Sequence, residues 1–343
     1  MLKRSRLLIL SGQSGAGTTS AARGIRDGLG SRGVAATVID SRGSEVEIEA
    51  LVDRAIASAG LGTLAHELPR ILVRLEGLAG ILAVREAAAR GGAILWDAGE
   101  TGAFLRLMTL LSSTRSGMAG ILPPLAAMRA AQSLSQADLA AWQMILGAID
   151  EVQALLADED SRILLVVVPD EGLDELVATR IGQLSLVRAG CDGILVNRVP
   201  RAGEGWPESW AQPQRRRVES LLGLGVPVIE IPQLVDDSPG AGAFRAAAGE
   251  VFDVGRLPRP LPDSIEERDD GGYDLHVHLP GVRPELVRVG RLGDALVTDV
   301  AGLRRQMALA PVLARCVIEG AGMDGDRLVV RFGRNRALWP EAS

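Results

Sequence analysis

The sequence predicts an α/β protein: a doubly wound, mostly parallel sheet with helical insertions, followed by a small all-β sandwich. Three observations carry this. Short apolar runs alternate with longer helical patterns through residue 255. From residue 273 the pattern changes to strict apolar/polar alternation. Between them lies a stretch rich in Pro and charge, without periodicity.

Leu7–Leu10 reads as a buried strand and runs at once into Gly12-Gln13-Ser14-Gly15-Ala16-Gly17-Thr18-Thr19-Ser20. An amphipathic helix follows through Ala21, Ile25 and Leu29. Further strands are expected at Ala35–Ile39, Ala93–Trp96, Ile163–Val168, Gly193–Val196 and Val226–Ile231. Apolar runs of this kind, separated by helices, mark a parallel sheet covered on both faces. Ligands then sit at the carboxyl ends of the strands. Asp40, Asp97, Asn197 and the Gly-rich loop all fall there.

Two intervals, 45–90 and 104–158, are too long for simple crossovers and carry helical spacing. They read as a helical layer, either ordinary core helices or an apolar client-binding surface. Residues 256–272 read as a linker. Residues 273–334 read as the sandwich, with strands at Leu275–Leu279, Leu286–Val289, Ala295–Val300, Arg304–Ala308 and Leu328–Phe332, and 335–343 as a tail.

Composition narrows the function. The 343 residues carry a formal charge of −6, a poor match to a protein that coats nucleic acid. Hydrophobic residues make up 47%, which excludes a disordered chain, yet aromatics are only 3%, so the core is built from aliphatics. Cys191 and Cys316 are far apart and form no Cys-x-x-Cys, which favours a reducing compartment. No apolar run reaches the ~18 residues a membrane span needs, and the N-terminal run is too short for a signal sequence. A cytoplasmic protein with at most peripheral membrane contact is expected.

Three segments carry candidate chemistry. In the first, Gly12, Gly15 and Gly17 shape a turn that opens a helix, so backbone N–H groups of Thr18, Thr19 and Ser20 face a phosphate. A P-loop adds a lysine before its Ser/Thr; here that place is Thr18. In the second, Asp97 is placed either to hold Mg²⁺ with Thr19 or to cap a helix. In the third, Asn197 and Arg198 end the fifth strand, where an Asn either pairs with an adenine edge or closes a turn. Arg215-Arg216-Arg217 follows a loop containing Trp206 and Trp210 and reads as a solvated helix start rather than a nucleic-acid contact, and His276 and His278 as a solvated strand face rather than metal ligands. The three histidines offer no base for a nucleophilic triad.

On these residues the chain resembles the ArsA-type family of deviant P-loop ATPases, which comprises arsenite-pump-driving ATPases and tail-anchored-protein targeting factors. Residues 12–20 match the frame of its Gly-Lys-Gly-Gly-Val-Gly-Lys-Thr-Thr loop. Residues 97–107 match its Asp-Thr-Ala-Pro-Thr-Gly-His-Thr-Leu-Arg-Leu at Asp97, Thr101, Gly102, Leu105, Arg106 and Leu107. Leu68-Pro69, Val196-Asn197-Arg198 and Pro232-Gln233-Leu234 with Gly240 resemble further family segments. Leu279-Pro280-Gly281-Val282, Arg304-Arg305 and the segment 321–330 resemble the small-heat-shock-like domain fused to some bacterial members.

The resemblance implies ATP or ADP with Mg²⁺, bound by Gly12, Gly15, Gly17, Thr18, Thr19, Ser20, Asn197 and Arg198, with Thr19 and Asp97 on the metal. It implies Asp40 as the residue aiming water, if the chain is active, and dimerisation through the P-loop face. The departures are equally specific. Gln13 and Thr18 occupy both lysine places, the first switch reads Asp40-Ser41-Arg42-Gly43, and Glu100 and Ala103 replace a Pro and a His. The expected protein is a hydrolysis-deficient cytosolic adaptor or chaperone that binds nucleotide weakly or not at all. It would hold a hydrophobic or membrane-associated client, as a homodimer or with an active ArsA-type paralogue. The alternatives are an active ATPase for anion export or membrane-protein targeting, and a nucleotide-free scaffold. With no cysteine cluster, arsenite chemistry is disfavoured.

Overall fold

A computed structural model describes residues 5–40, 78–114, 147, 149–201, 205–233 and 242–335. The chain divides into two compact units. The first comprises residues 1–107, 122–173 and 191–257; the second comprises 108–121, 174–190 and 258–343.

The first unit is built on β1 (Ser5–Gly12), α1 (Thr18–Gly30), β2 (Ala36–Asp40), α2 (Leu78–Arg90), β3 (Gly92–Glu100) and α3 (Thr101–Thr114). After a helical segment over 149–157 comes β4 (Arg162–Val167), and then α4 (Leu173–Leu186), which apart from Leu173 groups with the second unit. Then follow β5 (Gly193–Val199), α5 (Glu208–Ser220), a 3-10 turn at Leu221–Leu224, β6 (Val228–Pro232) and α6 (Gly242–Asp253). Six strands pair in the order β2-β3-β1-β4-β5-β6, all parallel.

Alternation along each strand feeds two faces. Leu8, Leu10, Leu95, Leu164, Val166, Leu195, Ile229 and Ile231 form one core with Ile25 and Leu29 of α1 and Phe244 and Val251 of α6. The other face buries Leu7, Ile9, Ile94 and Trp96. Phe104 of α3 meets the Trp96 ring edge-to-face at 5.9 Å.

At the amino edge of the sheet, Asp192 accepts Ile163 N–H at 2.8 Å and Leu257 N–H at 2.9 Å. Arg162 donates through Nε to Val254 O at 2.9 Å. Burial, with the Arg6 charge nearby, lowers the Arg162 pKa from the ordinary arginine value.

The second unit contains β7 (Ser264–Glu267), β8 (Tyr273–His278), β9 (Val287–Leu292), β10 (Ala295–Val300), β11 (Leu303–Ala308), the short α7 (Pro311–Ala314), β12 (Cys316–Asp324) and β13 (Arg327–Arg334). They make an antiparallel sheet of order β12-β13-β8-β7 and a second of order β11-β10-β9. Leu296, Thr298 and Val300 alternate inward on β10, and Leu303, Arg305 and Met307 on β11.

Most of α4 belongs to this unit. Gln183 Nε2 donates to Val300 O at 3.0 Å, and a Cβ on Gly182 would overlap Val282. Arg188 and the buried Arg305 both reach the Asp263 carboxylate. Desolvation lowers the Arg305 pKa, and Asp263 opposes that shift.

Four features differ from the sequence reading. The stretch 256–272, expected as a linker, contains β7, which pairs antiparallel with β8. All four β7 residues are exposed, so no burial pattern announced it. A strand at Cys316–Asp324 was not expected either; Cys316 alone among its nine residues is buried. The α4 helix, expected inside the 1–255 domain, groups with the β unit because its glutamine and glycine are matched to β10 and to Val282. β3 runs three residues past Asp97, so that carboxylate lies inside the strand. Much of the helical layer, including Leu68-Pro69 and most of 104–158, lies outside the described residues, as do Arg42, Leu234 and Gly240.

The α1–α6 contact has no slack. A Cβ on Gly28 would sit 2.4 Å from both the Arg245 carbonyl oxygen and the Ala248 Cβ. Gly28→Ala is therefore expected to destabilise the fold by about 1–3 kcal/mol, the cost of overpacking. Chemical denaturation checks it, and an unchanged midpoint would contradict this packing.

Candidate functional site

The site grows from the carboxyl edge of the six-stranded sheet. β1 ends at Gly12, where a Cβ would lie 2.3 Å from Val166 O on β4. That close approach lets Gln13 N–H reach the same carbonyl at 3.1 Å and turns the chain. Ala16 N–H donates to Gln13 O at 3.0 Å, and Gly15 and Gly17 take φ of 77° and 94°. These are left-handed conformations that favour glycine. Gly17 precedes α1 directly and, having no side chain, gives the helix no side-chain cap.

Asn197 fixes the loop from β5. Its Nδ2 donates to Ala16 O at 2.7 Å, and its Oδ1 accepts Arg198 N–H at 2.9 Å. A Cβ on Gly17 would stand 2.8 Å from Nδ2, so this position also needs glycine for space. Arg198 adopts φ of 59° at a register shift between Val196 and Val199, and its side chain is exposed. A non-glycine residue there carries strain of the kind that gathers at binding sites.

Asp97 is fully buried beside β1. Its Oδ2 accepts Thr19 Oγ1–H at 2.7 Å, and its Oδ1 accepts Gly99 N–H at 3.1 Å. A hydroxyl and a carboxylate in contact are the oxygen donors that Mg²⁺ takes, with water and phosphate completing its shell. Behind them Ser11 Oγ bonds Thr101 Oγ1 at 3.3 Å. Asp40 stands opposite Asp97 in the β2–β3 ladder and is exposed.

The fit to a nucleotide is therefore divided. The glycine cradle and the Thr19–Asp97 pair suit a phosphate and its metal. The charge does not: no residue from Gly12 to Ser20 is a cation. Thr18, in one lysine place, is 8% exposed, with its methyl facing Gly12. Gln13, in the other, keeps its Oε1 buried and without a partner among the described residues. Glu100 is exposed and accepts Gly102 N–H at 3.3 Å.

The structure gathers Gly12, Gln13, Gly15, Gly17, Thr18, Thr19, Ser20, Asp40, Asp97, Asn197 and Arg198 at one edge. Two contributions escaped the sequence reading: the Val166 carbonyl beneath the loop and the Ser11–Thr101 pair. The first is a backbone atom, and no side-chain pattern marks it.

Fold and site together define an α/β protein with a P-loop-like cradle and an appended β domain. Residues 270–332, within the C-terminal β region, match the family model described as the HSP20-like domain found in ArsA. This match supports the ArsA type for the chain. Two relatives align along most of the length. The "Uncharacterized protein SCO2128" of Streptomyces coelicolor is 28% identical over 325 residues, covering 88% of this chain and 82% of that protein. "Protein Rv2184c" of Mycobacterium tuberculosis is 25% identical over 319 residues, 84% of this chain and 75% of that protein. Among the described residues, no helix is long and apolar enough to cross a membrane.

If Asn197 holds the loop, Asn197→Ala leaves Ala16 O without its donor. A loss of about 1–3 kcal/mol in stability is expected. Amide exchange should also speed up selectively over residues 12–20. Unchanged protection there would remove Asn197 from this role.

Proposed function

We propose that this chain is a hydrolysis-deficient member of the ArsA type, acting as an adaptor or chaperone-like subunit for hydrophobic or membrane-associated protein clients. The observation that carries this reading is the neutral cradle: Thr18 is tucked under the loop and Gln13 stands in the second cation place. Each charged hydrogen bond to phosphate contributes about 1.5–3 kcal/mol. Two missing lysines then cost about 3–6 kcal/mol, or ~10²–10⁴ in affinity or rate. Glu100 adds negative charge near the cradle. A water aimed by Asp40 does not supply the positive charge that stabilises the negatively charged phosphate oxygens in the transition state.

The HSP20-like domain supports the chaperone side of the proposal. A silent copy works best beside an active one, so the partner is a second copy or an active paralogue, and the setting is the cytosol. The Thr19–Asp97 contact favours one second reading, in which nucleotide and Mg²⁺ bind and a partner subunit supplies the missing cation.

Purified chain with Mg²⁺ and ATP is expected to release orthophosphate more slowly than about 10⁻² s⁻¹, at least about 10²-fold below the bottom of the range of ordinary enzymes, about 1–10³ s⁻¹. Turnover inside that range by the chain alone contradicts the proposal. Turnover only when a paralogue is added favours the second reading.

A further inference from the structure

Trp206 and Trp210 lie outside every role assigned so far. Their rings are 4.6 Å apart, tilted by 34°. The chain has only five tryptophans and 3% aromatics, and it sets two of them together at the surface. Trp206 is anchored: its Nε1–H donates to Gln233 O at 3.1 Å, and Gln233 N–H donates to Val199 O at 3.0 Å. Val199 lies two residues past Asn197, which holds Ala16 in the glycine loop at 2.7 Å. A continuous path of hydrogen bonds and short chain segments thus ties the indole pair to the cradle, along the edge where ligands of such sheets bind.

Trp210 is the open half of the pair. It is 42% exposed, and its indole N–H makes no hydrogen bond among the described residues. It is fixed on the first turn of α5, with its backbone N–H donating to Pro207 O at 3.0 Å. An exposed indole thus stands beside a neighbour whose own N–H is satisfied.

We propose that the Trp206–Trp210 pair is a stacking platform for the base of a nucleoside or nucleotide. Trp206 sets the orientation and Trp210 supplies the contact face. This deepens the functional proposal above and rests on it for one point: with phosphate held poorly, the base carries much of the affinity. Stacking of a base on an aromatic side chain changes affinity by about 5–150-fold on substitution to alanine. That is comparable with the lower end of what the lost lysines remove. Exposed Arg215 and Arg216 on the same helix raise single-stranded nucleic acid as a rival occupant, but a chain of net charge −6 is poorly suited to it.

Calorimetric titration of the full chain with adenosine, Mg·ATP, inorganic tripolyphosphate and a short oligo(dT) tests the proposal, with Trp210→Ala and Trp210→Phe beside the wild type. Circular dichroism confirms that both variants fold, as an exposed position permits. Adenosine and ATP are expected to bind with dissociation constants within about tenfold of each other, and tripolyphosphate much more weakly. Trp210→Ala should weaken adenosine by about 5–150-fold, and Trp210→Phe should retain most of the binding. ATP bound far more tightly than adenosine, with both still weakened by Trp210→Ala, would keep the platform and overturn the weak-cradle reading. Adenosine binding that ignores Trp210→Ala, no adenosine binding at all, or binding of the oligonucleotide alone would overturn the platform and leave the weak-cradle reading intact.

Discussion

The 2.7 Å hydrogen bond from Asn197 Nδ2 to Ala16 O does in this chain what charge usually helps to do in a phosphate loop: it keeps the turn in shape. Around it the constraints are steric and backbone-based. Gly12 lies against Val166 O, Gly17 lies against the Asn197 amide, and the positive φ of Gly15 and Gly17 closes the turn. None of these depends on a cation. The geometry of a cradle and its electrostatics are therefore separable, and a protein can keep the first while losing the second. The Thr19–Asp97 contact belongs to the same class, a buried pair satisfied within the fold. Losing one partner of such a pair leaves a costly polar group behind, which preserves the site's shape independently of turnover.

Much of this was legible before any coordinates. The inner strands β1, β3, β4 and β5 announce themselves because both of their faces are buried, β4 at all six positions, while the edge strands β2 and β6 are buried only in part. The glycine loop was legible because only glycine tolerates those dihedral angles. The alternation of β10 and β11 was legible because one face meets a core and the other meets water.

What escaped did so for physical reasons. β7 is wet on both faces and is held by backbone pairing with β8. β12 opens with a buried cysteine and then meets solvent along most of its length. The grouping of α4 with the β unit turns on Gln183 and Gly182, residues with ordinary sequence signatures whose partners lie about a hundred positions away. Asp97 reads as a strand end because the apolar run Ala93–Trp96 stops there. A bulge between Leu10 and Ser11 instead lets β3 continue alongside β1. The Asn197 side chain reads equally as an adenine-edge group or as a turn residue, and the bonds it makes within the fold, to Ala16 O and from Arg198 N–H, have no signature in the sequence.

The central claim is that charge, and not shape, keeps this cradle from binding triphosphate well. The most direct measurement is the ATP dissociation constant of the wild type against the double variant Gln13→Lys/Thr18→Lys, with stability checked in parallel. The account predicts that restoring both cations tightens ATP by about 10²–10⁴-fold while leaving adenosine nearly unchanged. A wild-type chain that already binds ATP tightly, or a folded double variant that binds it no better, would contradict the account.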